Sequence, residues 1–349
     1  MAIATGIYHT KYSQDLALRQ TRADWVRLLV LIAFLGVVPF VASSYWLTIL
    51  NMVGIAAIGA IGLNILTGFT GLISLGQGGF LAVGAYTSGI LIARLHWPTP
   101  LGIAVAVLVT AAVGTVIGIP AVRLKGLYLA IATLAAQVII IYIVRTWDVV
   151  TGGVESLVVP RPVVFETEIR SEFIWYWIIL ALVVLATLAA LNLFRTGLGR
   201  SFVAIRDQDI AADVIGVTVW KYKLWSFAIS SGFVGLAGAL LASYRSIVTW
   251  ERFTFDVSIT YLAMIIVGGL GSVAGAIYGA GFMTVIPALI QRAGQSIQGV
   301  LPGLSQQLPA IQLGVFGLVI ILFLIFEPRG LARIWERIRD YFRLWPFRY

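Results

Sequence analysis

The sequence predicts an all-α fold, a polytopic transmembrane helical bundle of about ten spans with both termini cytoplasmic. Three observations carry this. Of the 349 residues, 60% are apolar and 11% charged, with a mean hydropathy of +0.98, against about 45–50% and about 25% in soluble domains. The apolar residues fall in runs near the length of about 20 helical residues that a bilayer core requires. The basic residues crowd into alternate connections between those runs.

The charge excludes as much as it suggests. Lys and Arg number 24 against 15 Asp and Glu, a formal net charge of +9. The bases are scattered between apolar runs and form no single solvated face, so a nucleic-acid-binding module is excluded. There is no Cys, hence no disulfide framework or thiolate metal site, and His9 and His96 are too few for a histidine metal cluster or a pH switch. No cofactor is expected.

Residues 1–27 are polar, carry Lys11, Arg19, Arg22 and Arg27, and lack an apolar core followed by a small-residue cleavage site. They read as a retained cytoplasmic tail. A membrane domain follows over 28–328, with spans at 28–42, 45–67, 79–93, 101–120, 126–144, 174–194, 224–244, 257–270, 273–291 and 311–326. The first, third and eighth are short for a crossing. A basic amphipathic tail over 329–349 closes the chain, with Arg333, Arg337 and Arg339 interleaved with Ile334, Trp335 and Ile338, the pattern of an interfacial helix.

On these boundaries one side of the membrane collects 17 basic residues and the other 7, while acidic residues divide 8 to 7. Cytoplasmic loops are enriched in Lys and Arg, so both termini are cytoplasmic and the number of spans is even. All eleven Trp fall at or just outside a span end, the headgroup level that indole prefers.

Two stretches are too rich in Gly for regular spans, 68–80 and 268–280. Irregular backbone at membrane depth is tolerated where protein buries it or where it lines a polar cavity, and broken helices mark substrate sites in many transporters. The first stretch, with Gly68, Gly71, Ser74, Gly76 and Gln77, together with Asn64 and Thr133, is the candidate substrate pathway. The competing reading is close helix packing, as Gly114/Gly118 and Gly275/Gly279 would give in small-xxx-small contacts.

Other buried polar groups are Asn51 and Gln137, and no Asp, Glu, Lys or Arg lies inside a proposed span. That argues against a proton relay or a voltage sensor. The sequence holds no Gly-x-x-x-x-Gly-Lys-Ser/Thr phosphate cradle, no Gly-x-Ser-x-Gly elbow and no His-Glu-x-x-His pair. The chain is therefore expected to be no enzyme, and any ATP that drives it must be hydrolysed on another subunit.

The largest cytoplasmic loop spans 195–223. If 205–216 is one helix, Ile205, Asp209, Ala212 and Gly216 share a narrow stripe whose small residues permit close approach of another surface. Docking is favoured over a helix lying on lipid, for which the apolar content is low.

Four blocks in order give the chain a resemblance to a known family. They are Gly62-Leu-Asn-Ile-Leu-Thr-Gly-Phe-Thr-Gly-Leu-Ile-Ser-Leu-Gly-Gln-Gly-Gly-Phe80 with Gly84-Ala-Tyr86; Lys125-Gly-Leu-Tyr-Leu-Ala-Ile-Ala-Thr-Leu134; Gly199-Arg-Ser-Phe-Val-Ala-Ile-Arg206 running into Ile210-Ala-Ala-Asp-Val-Ile-Gly216; and Ile266-Val-Gly-Gly-Leu-Gly-Ser-Val-Ala-Gly275. Over about 61–330 the chain resembles the permeases of branched-chain amino-acid ABC importers, the leucine/isoleucine/valine family, and most the M-type subunit.

The resemblance implies a plasma (inner) membrane pore shared with a second permease subunit, two cytoplasmic ATP-binding subunits and an extracytoplasmic solute-binding protein. It also implies that the Ala-Ala-x-x-x-Gly segment, here Ala211, Ala212 and Gly216, couples to the ATPases, with Ile205, Arg206 and Asp209 beside it. The outer loop keeps Thr151-Gly-Gly153 and then reads Val-Glu-Ser-Leu where the family usually has small, Gly-containing residues. Relatives carry urea, short amides or aromatic acids, so the solute class stays open between these and branched-chain amino acids. The alternative from another class is a stand-alone secondary carrier or channel for a small neutral solute.

Overall fold

Where no water reaches the backbone, a run of Leu, Ile, Val and Ala satisfies its amides internally as helix. The computed structural model follows that rule with fourteen α-helices among the described residues. It describes residues 22–164, 167–297, 304–327 and 330–344. The expected N-terminal tail up to residue 21 and the last five residues lie outside the described residues.

The chain divides into two units, Met1–Thr48 and Ile49–Tyr349. In the first, α1 (Arg22–Val41) carries Pro39 in its last turn, and the opening turn of α2 (Ser44–Asn64) follows, with the Thr48 hydroxyl donating to the Ser44 carbonyl at 3.0 Å.

In the second unit α2 runs on into a π-helical turn, Ile65–Phe69, and then into extended chain. The order continues with α3 (Gln77–Ala93), α4 (Thr99–Ala121), α5 (Leu127–Thr146), the single turn α6 (Asp148–Thr151) and α7 (Glu172–Arg195). The 195–223 loop supplies α8 (Gly197–Asp207) and α9 (Asp209–Val214). Then come α10 (Val219–Arg245), α11 (Phe255–Gly268), α12 (Val273–Ile297), α13 (Leu304–Phe326) and α14 (Gly330–Leu344). Four two-residue strands join the connections: β1 (Leu157–Val158) pairs antiparallel with β4 (Ile247–Val248), and β2 (Val163–Val164) with β3 (Thr167–Glu168).

Each of the ten expected spans coincides with one of these helices. Among the described residues six helices are long and apolar enough to cross a membrane, and Ile32–Val41, Gln77–Ala93, Phe255–Gly268 and Ala310–Phe323 form shorter apolar helices. The ends differ in one consequential way. Because α7 starts at Glu172 and α10 at Val219, charge enters the helices: Glu172 opens α7, and Lys223 lies in the first turns of α10, 5% exposed. The helices therefore include charged residues that the expected spans leave out. Lys223 is tolerated because a carboxylate of the 195–223 loop reaches it, at 3.6 Å from Asp209.

The core is laid around α10, which packs along α4 and α3. Helices in lipid gain little from apolar burial and associate through close packing, so small residues collect at the seam. A Cβ on Gly84 would collide with the Gly235 backbone, and one on Gly238 with the Leu81 carbonyl. Gly114 and Gly118 face Ser231 and Phe227 of α10, while Gly275 and Gly279 face Gly268 and Met264 of α11. Both small-xxx-small pairs thus serve helix contact.

Candidate functional site

The two Gly-rich stretches are interruptions of different length. The first runs through the π-helical turn and residues 70–76; the second is confined to Gly269–Ser272, where Gly269 and Gly271 take positive φ of 122° and 76°, a backbone region that a Cβ disfavours. From 273 onward the second stretch is regular helix packed on α11.

Asn64 joins the two. Its amide Nδ2 donates to the Ser272 carbonyl at 2.8 Å, and its Oδ1 accepts the Gly271 N–H at 3.0 Å. A buried amide that completes another segment's backbone bonds replaces the pairing that segment lost. Gly68 must lack a side chain here, since a Cβ would strike Asn64 Oδ1 and come 2.5 Å from the Gly271 nitrogen.

The rest of the first break is closed by local hydroxyls. Thr70 Oγ1 donates to the Ile65 carbonyl at 3.0 Å and Thr67 Oγ1 to that of Leu72 at 3.1 Å. Ser74 Oγ accepts from Gly76 N–H at 3.3 Å, and Thr133 Oγ1 on α5 accepts from Leu75 N–H at 2.9 Å. The Gln77 amide turns back to the Gly59 carbonyl on α2 at 3.0 Å. Gly76 is buried, a Cβ there lying 2.9 Å from the Thr133 carbonyl. Asn64, Ser74, Gln77 and Thr133 are each at most 2% exposed and bonded within the chain, whereas Gly71 and Ile73 face outward.

Two clusters escaped the sequence reading. Ser258 of α11 donates to Gln137 Oε1 at 2.7 Å and accepts from Gly78 N–H at 2.8 Å, which ties the start of α3 to α5 and α11. Glu172 accepts from Asn51 Nδ2 at 3.0 Å and from the Tyr244 hydroxyl at 2.6 Å, while Asn51 Oδ1 is buried without a hydrogen-bond partner among the described residues. A serine in an apolar helix and a carboxylate beside a span end were the available signals, but neither names its partner.

In the 195–223 loop, 205–216 is not one helix. Gln208 is extended (φ −164°, ψ 109°) and divides α8 from α9, with Asp209 opening the second helix, a position that favours a carboxylate. The single stripe through Ile205, Asp209, Ala212 and Gly216 is therefore lost. Ile205 and Ala212 pack inward at 4% and 2% exposure, and the outer face shows Ile210, Ala211, Val214 and Ile215. Gly216, at φ 91°, ends the segment with open space around it.

Asp209 meets Lys125 at 2.6 Å and Lys223 at 3.6 Å. The hydrogen-bonding Lys125 ammonium, with Lys223 adding to it, holds this carboxyl below the usual carboxylate range. Arg206 donates from Nη1 to the Gly68 carbonyl at 3.1 Å, and from Nε and Nη2 to Asp207 at 3.1 Å. Between these groups and residues 70–72 lies a cleft of about 310 Å³. No group of acidic, His or Cys side chains fit for a metal occurs among the described residues.

A family model described as the branched-chain amino acid transport system permease component matches residues 45–324. The chain belongs to that family. It is 32% identical over 317 residues, 84% of its length and 71% of the relative's, to the high-affinity branched-chain amino acid transport system permease protein LivM of Escherichia coli K12. It is 25% identical over 232 residues to a probable LivM of Methanocaldococcus jannaschii, covering 66% of this chain and 67% of that one. A shorter match, 30% over 122 residues, covers 33% of this chain and 34% of the autoinducer 2 import system permease protein LsrC of Salmonella paratyphi B. No solved structure matches. The chain is thus a multi-pass membrane permease that works with other subunits of an ABC transporter.

Proposed function

We propose that this permease imports branched-chain amino acids or a related small polar solute across the plasma (inner) membrane. It pairs with a second permease, receives solute from an extracytoplasmic binding protein, and is driven by ATP hydrolysis on two cytoplasmic subunits. The observation that carries this is the family match over 45–324 together with 32% identity along 84% of the chain. In this reading all ten apolar helices cross the bilayer, both termini are cytoplasmic, and α14 lies at the interface with Trp335, Ile338 and Tyr341 outward.

The loop over 195–223 docks the ATP-binding subunits. Support comes from the exposed ridge of Ile210, Val214 and Ile215, at 69%, 82% and 75% exposure, large apolar side chains at the end of a charged connection. Asn64, Gly68, Gly71, Ser74, Gly76, Gln77 and Thr133 shape the wall of the pathway; since their polar groups are occupied, they hold the break open as a scaffold, and outward-facing Ile73 meets the solute side.

The test is uptake into proteoliposomes holding both permeases, the ATP-binding subunits and the binding protein, with a panel of leucine, isoleucine, valine, aromatic acids, short amides and urea. ATP-dependent, saturable uptake of an aliphatic amino acid is expected. Uptake by this chain alone without ATP would establish the secondary carrier instead.

A further inference from the structure

The loop that carries the exposed ridge is rooted in both helix breaks through one side chain. Arg206 sits at the end of α8, whose Phe202 and Ile205 are buried in the bundle, so this helix does not float on the surface. Its guanidinium leaves the loop and donates to the Gly68 carbonyl, inside the π-helical turn. Its stem crosses Gly71, where a Cβ would stand 3.1 Å from Cγ, and Nη1 lies 3.0 Å from where a Cβ on Gly271 would be. Gly71 and Gly271 both take φ of 76°.

A Cβ on Gly271 would lie 3.2 Å from that carbonyl, and on the other side of Gly68 stands Asn64, which holds the second break through Gly271 and Ser272. From the loop's side, the same guanidinium grips Asp207, the chain turns at extended Gln208, and Asp209 is clamped between Lys125 and Lys223. Short, charge-assisted contacts thus run from the α8–α9 segment to the two irregular segments.

We propose that Arg206 is a positioning residue for transport: it does not touch solute or an ATP-binding subunit, but links the docking loop to the paired breaks at Gly68 and Gly271, so that ATP-driven movement of the loop resets them together. This rests on the reading above that the loop docks those subunits. Its planar fork is what allows one group to hold a carbonyl and a carboxylate at once, a geometry an ammonium does not reproduce.

The experiment uses the full complex in proteoliposomes, with solute uptake and ATP hydrolysis measured in the same vesicles. For Arg206→Ala the ATP-binding subunits should still co-purify, and the ATP consumed per solute should rise about tenfold, the effect of losing one charge-assisted hydrogen bond. Arg206→Lys should give an intermediate ratio, a graded rescue that a purely structural role would not produce. An unchanged ratio, with both rates falling together or neither falling, overturns the proposal. Should Arg206→Ala fail to assemble, the Lys variant decides: a ratio equal to that of the unmutated complex overturns it. Failure of the underlying reading is distinct, since the unmutated complex would then take up solute without ATP or without bound ATP-binding subunits.

Discussion

Asp209 holds two ammonium groups on one carboxylate oxygen, Lys125 at 2.6 Å from the foot of α5 and Lys223 at 3.6 Å from α10. Lys125 depresses its pKa, so the tie is complete above the ordinary Asp value of about 3.9 and is lost as pH falls through the lower folded value. Protection of 209–216 in hydrogen exchange, corrected for intrinsic rates, should therefore stay flat from about pH 8 to about pH 5. Asp209→Asn should reduce it throughout that range. A fall in protection between those limits would assign the anchor to another group. The sequence displays Asp209 as an acidic residue beside small ones and names no partner for it. That the partners lie in the same chain depends on where α5 and α10 begin, which hydropathy places only loosely. Asn64 and Arg206 were likewise visible as polar residues near Gly, but the atoms they serve are backbone atoms 208 and 138 positions away, or near enough to that, and backbone acceptors leave no side-chain signature.

At the scale of elements, apolar run length was a sound guide, because a helix in lipid has no alternative way to satisfy its amides. All ten expected runs became helix, and the first Gly-rich stretch became the expected break. Periodicity failed in the 195–223 loop, where water offers the backbone other partners and one extended residue, Gln208, rotates everything after it onto a new face. The exposed side of α9 is therefore Ile210, Val214 and Ile215, while Ala212 is buried. Val214→Glu should abolish co-purification of the ATP-binding subunits while changing the stability of the isolated permease by no more than about 0.5 kcal/mol, as for surface substitutions generally. Retained binding, read by pull-down from detergent, would remove this face from the interface. Gly216→Glu is a poorer probe, since at φ 91° any side chain strains the turn, and Asp207→Ala is no neutral control, since Asp207 holds the Arg206 guanidinium.

Over the whole molecule the bias of 17 basic residues against 7 predicts an orientation with both termini cytoplasmic. Reporters fused after Lys125, within 195–223 and after Arg329 should give cytoplasmic signals, and one at Glu166, which lies outside the described residues, an external signal. A cytoplasmic signal at Glu166 would refute the alternation of spans. The bundle that results is closed late in the chain: Asn64 must find Gly271 and Ser272, 208 residues downstream at its carbonyl contact. At about 5–20 residues per second of synthesis, that amide waits roughly ten to forty seconds for its acceptor. Until α11 and the turn after it have been synthesised, the Asn64 amide has no Gly271 or Ser272 to bind, so the two breaks are joined only when most of the chain exists.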